Sequence, residues 1–214
     1  MRCIPFGLFI ALMVLEPRLE SVLPSGFDGR WLYGVRVGLV SLALVVLWRH
    51  YKELREGPSA TLADWALGLA VGVVVFVLWI NLDFKPLSLA PGEGFDPRVD
   101  GRIDLGLAAV RIAGAALVVP IMEELFWRSF IMRWLQKPAF LSVVPSSVGW
   151  KALLISSALF ASEHRLWFAG LLAGLAYGWL YKRSGNLWVP TVSHGVTNAL
   201  LGIYVLATGM WMYW

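Results

Sequence analysis

The sequence predicts an all-α fold, a polytopic transmembrane bundle of about seven or eight helices around a polar cavity. Three observations predict it. Of 214 residues, 58% are hydrophobic and only 15% charged, whereas a soluble domain carries roughly 25% charged residues. Apolar runs recur along the chain between short polar breaks. At about 20 residues per span, the length accommodates seven or eight crossings. Most charges fall in the breaks, and the exceptions cluster in three places.

The length leaves no room for a separate soluble domain of ordinary size. Residues 1–102 read as N-terminal spans and a polar loop, and residues 103–206 as a core, within one integral membrane domain. The first run, Ile4–Leu15, follows Arg2 and looks like a signal sequence. Glu16-Pro17-Arg18 follows in place of a small-residue cleavage site, so an uncleaved first span or anchor is expected. The second run is Trp31–Trp48, despite Arg36. Arg49-His50-Tyr51-Lys52 closes it, and Lys52–Glu56 reads as a charged loop. Leu62–Leu82 is the strongest hydropathy signal. Asp83–Arg102, with Pro86, Pro91, Gly92, Gly94, Pro97 and Gly101, reads as a polar lid or interfacial loop. A fourth run starts near Ile103 and continues through Val119 into "IMEELFWRSF". Trp150–Ala161 and Leu166–Tyr181 follow. Gly185-Asn186 marks a turn, and Leu187–Leu206 is the last run. Trp211 and Trp214 beyond it suit an interfacial aromatic belt.

Net charge is +4. The basic residues sit between apolar runs, where they set orientation, so nucleic acid is not an expected partner. Arg49, Lys52 and Arg55, then Arg133, Lys137 and Lys151, then Lys182 and Arg183 fall on alternating loops. Those loops would be cytoplasmic, with the N-terminus inside. Lys85, Arg98 and Arg102 on the intervening side keep the asymmetry modest. The one cysteine, Cys3, offers neither an intramolecular disulfide nor a zinc pair.

An ionisable group inside a span costs about 2.5–3.5 kcal/mol on insertion scales, so such groups are functional candidates. The first cluster is Glu123-Glu124…Arg128. On a helix, Glu124 and Arg128 share a face and can pair. Glu123 lies roughly 100° away and can face elsewhere. A carboxylate without a partner in an apolar cavity suits general acid–base work. The competing reading is an ion pair that fixes helix packing. The second cluster is Phe160…His164, where a lone histidine is more often a satisfied core group. The third is His194…Asn198, one helical turn apart. It suits a donor pair for an oxyanion, or a plain polar helix–helix contact. His50 reads as interfacial. Ser129, Thr191, Ser162 and Ser193 lack a nucleophile-elbow or Ser-Lys setting.

The ordered set E-E-x-x-x-R, F-x-x-x-H, H-x-x-x-N resembles the CPBP family. That family comprises Rce1-type CAAX prenyl endopeptidases and bacteriocin-processing (Abi) intramembrane proteases. The resemblance covers about Ile103–Leu206, and "EELFWRSFIMRW" is most similar to a bacterial branch associated with exosortase systems. It implies an intramembrane endopeptidase of the bacterial inner membrane, acting on a membrane-anchored peptide or protein. Glu123 would activate water, His164 would hold it, His194 and Asn198 would stabilise the oxyanion, and Glu124 and Arg128 would support the site. The resemblance implies no cofactor. The alternative is a zinc-dependent enzyme with Glu123, His164 and His194 as ligands and an open fourth position. Asn198 is a poor zinc ligand and no HExxH occurs. A non-catalytic scaffold or partner-binding protein is the other alternative.

One tension is visible in advance. His164 precedes the sixth run and His194 follows it, so a straight span would hold them at opposite ends. Breaks at Gly185-Asn186 and Pro190 are expected to let the chain re-enter.

Overall fold

The computed structural model describes residues 1–90 and 94–214. Pro91 and Gly92 of the expected lid therefore lie outside the described residues. The helices are α1 (Cys3–Glu20), α2 (Leu32–Val46), α3 (Lys52–Arg55), α4 (Leu62–Asn81), α5 (Leu105–Gln136), α6 (Trp150–Ala161), α7 (Trp167–Ser184) and α8 (Trp188–Thr208). A two-residue antiparallel pair, Arg98–Val99 with Arg102–Ile103, is the only sheet among the described residues. The chain is thus an all-α helical membrane bundle.

Among the described residues, four stretches are long and apolar enough to cross a bilayer: Gly29–Val46, Leu62–Asn81, Leu105–Gln136 and Trp188–Thr208. The other expected spans are helices of a different kind. α1 ends in Glu16, Arg18 and Glu20, and α6 has only 12 residues, about 18 Å of helix at 1.5 Å per residue. The supposed charged loop at Lys52–Glu56 is the short helix α3, which turns Glu53 inward.

Local chemistry sets the helix ends that matter. Thr61 and Asp64 form a reciprocal capping box at the start of α4, satisfying two otherwise unpaired backbone donors. Asp104 caps α5 through the Leu107 amide. Gly185 ends α7 at φ +68°, a left-handed conformation that costs glycine little. Pro190 breaks nothing. It lies in the first turn of α8, which runs uninterrupted to Thr208, and a helix needs no amide donor there.

In lipid there is little hydrophobic drive between helices, so close packing of small residues does the work. Gly170 and Gly174, one turn apart on α7, face Ala161 and Ser157 of α6. A Cβ added at Gly174 would lie 2.9 Å from that of Ser157. On α4, a Cβ at Gly72 would lie 2.5 Å from the Ser193 carbonyl oxygen of α8. These two contacts hold α6 against α7 and α4 against α8. Both pairs flank the cavity described next.

α5 departs from α-helical geometry twice. Gly114–Val118 and Leu125–Met132 are π-helical. Such wider turns are uncommon and concentrate at functional sites. Glu123 and Glu124 sit between these segments.

Candidate active site

Glu123, His164, His194 and Asn198 all line one cavity of about 220 Å³. Glu124 and Arg128 lie behind it, with side chains 0% and 3% exposed. The tension over depth is resolved by the short α6 and by Phe160 near its end. The Phe160 ring lies 4.6 Å from the His164 ring and 6.2 Å from the His194 ring, centroid to centroid. No break inside α8 is needed.

Glu124 and Arg128 pair as their spacing suggests, with Arg128 Nε 3.1 Å from Glu124 Oε2. The same guanidinium lies 4.4 Å above the Phe160 ring and reaches the Gly174 carbonyl. Glu124 has a second partner that spacing did not suggest. Its Oε1 lies 3.1 Å from His194 Nδ1. A carboxylate accepts, so Nδ1 carries the proton and Nε2 points onward. His194 Nε2 is 4.0 Å from Glu123 Oε2. The two glutamates therefore converge on opposite nitrogens of one imidazole and do not face apart. Glu123 Oε2 is buried without a hydrogen-bond partner among the described residues.

The imidazole is held on its face as well. Tyr177 stacks on His194, with centroids 4.9 Å apart and planes 18° apart. The Tyr177 hydroxyl donates to Thr197 Oγ1 at 2.7 Å, which donates to the Gly72 carbonyl at 2.8 Å. The Gly72 contact thus fixes both the backbone and the ring environment of His194.

His164 sits in the turn between α6 and α7. Its Nδ1 is 2.8 Å from the Phe160 carbonyl oxygen, so Nδ1 donates. Burial pushes this histidine down to about 4, leaving it neutral near pH 7 with Nε2 as an acceptor. Asn198 corrects the reading of a free donor pair. Its Nδ2 donates to the Ala115 carbonyl at 2.8 Å, inside the first π-helical segment. One amide hydrogen remains. A neutral His194 with its proton on Nδ1 offers a lone pair at Nε2, so it donates to an oxyanion only as imidazolium.

Tyr33, Tyr177 and Thr197, which carry no sequence signal, and Arg111 line the cavity beside the motif residues. Trp214 and Tyr213 also line it, so the aromatic tail is more than an interfacial belt. Arg111 was visible as a charge inside the fourth apolar run. Ser129 and Thr191 are engaged by Glu53 and by the Leu187 carbonyl. Among the described residues, no three His, Cys, Asp or Glu side chains are grouped to hold a metal ion. Glu123, His164 and His194, the zinc set of the alternative, are not so grouped.

Fold and site define an integral membrane protein with buried acids and histidines around one cavity. Residues 105–200 match the family described as type II CAAX prenyl endopeptidase Rce1-like. That stretch, similar to the family, holds both glutamates and both cavity histidines. Comparison with curated proteins and with solved structures returned no match.

Proposed function

We propose that the protein is an intramembrane endopeptidase that hydrolyses a peptide bond of a membrane-anchored protein or peptide with water activated by Glu123. The observation that carries this reading is Glu123 itself. Its Oε2 is buried, has no hydrogen-bond partner, and faces His194 Nε2 4.0 Å away at the wall of a cavity. Glu124 Oε2 also lacks a hydrogen bond, but it faces the Arg128 guanidinium at 3.1 Å and Oε1 faces His194 Nδ1 at 3.1 Å, so of the two acids Glu123 is the one without a cation against it.

The steps follow from the donors and acceptors. A water in the cavity gives one hydrogen bond to Glu123 and one to the Nε2 acceptor of His164. Glu123 takes its proton as the oxygen attacks the scissile carbonyl carbon. The developing oxyanion takes donors from the remaining Asn198 amide hydrogen and from His194 when it is protonated. Glu124 supports that imidazolium through Nδ1, and Arg128 balances Glu124. Glu123 then passes its proton to the leaving amine as the C–N bond breaks. Alternating basic loops support a cytoplasmic N-terminus, and the resemblance to a bacterial branch supports an inner membrane setting.

The test uses the full chain in membranes and a pool of lipid-anchored peptides. Glu123→Gln should lower cleavage by about 10²–10⁴-fold, the usual worth of a general base, with membrane abundance unchanged. His164→Ala and His194→Ala should also lose turnover. Unchanged cleavage in all three would overturn the reading, and lost abundance with normal turnover per molecule would favour a scaffold. Exhaustive chelation that abolishes wild-type cleavage, with zinc restoring it, would favour the metal-dependent alternative.

A further inference from the structure

One carboxylate beside the site has no part in the steps above. Glu163 precedes His164 in the turn between α6 and α7. It lines a vestibule of about 690 Å³ that adjoins the catalytic cavity, and His164 borders both spaces. The arginines of the vestibule face other acids. Arg165 is paired with Asp83, and Arg36 with Glu16, which also acts on Arg111. Among the described residues no cation forms an ion pair with Glu163. On α5, Trp127 Nε1 is buried without a hydrogen-bond partner among the described residues, and the Glu163 carboxyl is the acceptor turned toward that N–H. Arg128 and Glu123 lie within electrostatic reach of it. The carboxyl therefore stands between an inner donor and the open vestibule. Burial pushes it up to about 7, so near neutral pH it takes up and releases a proton with little bias.

Hydrolysis leaves a proton that the steps above do not remove. The attacking water brings two. Glu123 carries the first to the leaving amine. The second stays on the hydroxyl of the new carboxyl group, beside Glu123. Two carboxyl groups at one buried place share a proton, because both resist ionising side by side. While they share it, Glu123 is not free as a base and the product is held as its acid. An exit for that proton has to be within reach of Glu123 and open to water. Glu163 meets both conditions.

Taking the endopeptidase reading as its basis, we propose that Glu163 is a proton-relay residue that acts through Glu123, carrying the second proton of each turnover from the cavity to the vestibule. An O–H bond breaks at the pair formed by Glu123 and the product carboxyl, and one forms on Glu163 by way of a cavity water. That bond breaks in turn as vestibule water takes the proton. No oxidation or reduction is involved. The product is left as a carboxylate beside an ionised Glu123, and their repulsion favours release. Once ionised, Glu163 has the Trp127 N–H as a donor on its inward side.

The test uses full-length protein in phosphatidylcholine nanodiscs and one lipid-anchored peptide that the wild type cleaves. Single-turnover rates report the chemical step, and steady-state kcat includes resetting and release. Glu163→Gln should keep the single-turnover rate within about twofold of wild type and lower kcat by about tenfold or more, below the full worth of a general base. Product should then appear as a burst of about one equivalent per enzyme. Imidazole, a small base that titrates near neutral pH, should restore kcat in this variant and leave wild type unchanged. Glu163→Asp should keep part of kcat. Membrane abundance, measured alongside, refers every rate to folded enzyme. An unchanged kcat in Glu163→Gln overturns the proposal. So does an equal fall in both rates, or a fall in kcat that imidazole does not reverse, which would make Glu163 a structural residue. Glu123→Gln, run in parallel, reports on the endopeptidase reading alone. Single-turnover cleavage equal to wild type in that variant sinks the reading whatever Glu163 does.

Discussion

Two buried ionic clusters lie along α5, and they are built to opposite ends. The first centres on Glu53. It accepts from Arg2 Nε at 2.9 Å and Nη2 at 2.7 Å, from Ser129 Oγ at 2.5 Å and from Arg133 Nη1 at 3.2 Å. Arg133 also donates to the Phe140 carbonyl and the Tyr181 hydroxyl. Each Glu53 oxygen is taken. The knot ties the start of α1, α3, the end of α5 and α7 together. The second cluster is Glu123, Glu124, Arg128 and His194. There Glu123 Oε2, Glu124 Oε2 and Arg128 Nη1 have no hydrogen-bond partner among the described residues. A saturated network rigidifies, while a half-satisfied one retains free electrostatic capacity at a cost in stability. The first arrangement suits a joint and the second a reactive site.

That contrast can be broken by experiment, from large effects to small. Glu53→Ala strands two arginines and should cost about 3–5 kcal/mol, the price of breaking a buried pair. Membrane abundance and thermal stability of the solubilised protein would fall, with turnover per folded molecule preserved. If turnover fell first, the two clusters would not divide into joint and site. Glu124→Gln is intermediate. It keeps an oxygen for His194 and removes the charge opposite Arg128, and a lost charge-assisted bond is worth about 1.5–3 kcal/mol. Cleavage should drop by about tenfold to a hundredfold, with a smaller loss of stability. A stability loss matching that of Glu53→Ala would make Glu124 a joint residue instead.

Gly72→Ala sharpens the comparison through packing. The added methyl meets the Ser193 carbonyl oxygen at 2.5 Å and should cost about 1–3 kcal/mol as overpacking. Because Gly72 also accepts from Thr197, turnover should fall along with stability. Gly38→Ala, with nothing within 4 Å of its Cβ, should change neither in the same assays. The smallest effect is expected outside the spans. Arg165 donates to both oxygens of Asp83 at 2.9 and 2.8 Å, and this pairing holds the Asp83 carboxyl below its ordinary value of 3.8. The contribution is complete above about pH 4 and is lost as pH falls through the lower folded value. Asp83→Asn should cost about 1 kcal/mol or less at pH 7 and flatten the acid limb of the stability profile. An unchanged acid limb would show that the pair contributes nothing.

Much of this was legible in residue order. The apolar runs gave the helices, because a bilayer tolerates few other ways to satisfy backbone polar groups. The four-residue spacing of Glu124 and Arg128 gave their pair. The motifs gave the histidines and Asn198 that line the cavity. Glu53 was not legible. In sequence it is one acid in a charged stretch, and only the inward turn of α3 against Arg2 and Arg133 makes it a buried joint. Nor did spacing reveal that both glutamates meet His194. Ideal helical geometry sends neighbouring side chains roughly 100° apart, but where α8 crosses α5 one imidazole reaches both.

The sequence by itself determined a helical membrane protein, the residue types for acid–base chemistry and their order along the chain. Those depend on composition and local periodicity, which neighbours in sequence supply. The tertiary structure decided which carboxylate oxygen stays open, which nitrogen of each histidine carries the proton, and that Arg111 stands at the same cavity. Those depend on contacts between residues far apart in the chain, such as the 70 positions that separate His194 from Glu124. No local pattern specifies them, because they are fixed by where small residues let helices approach.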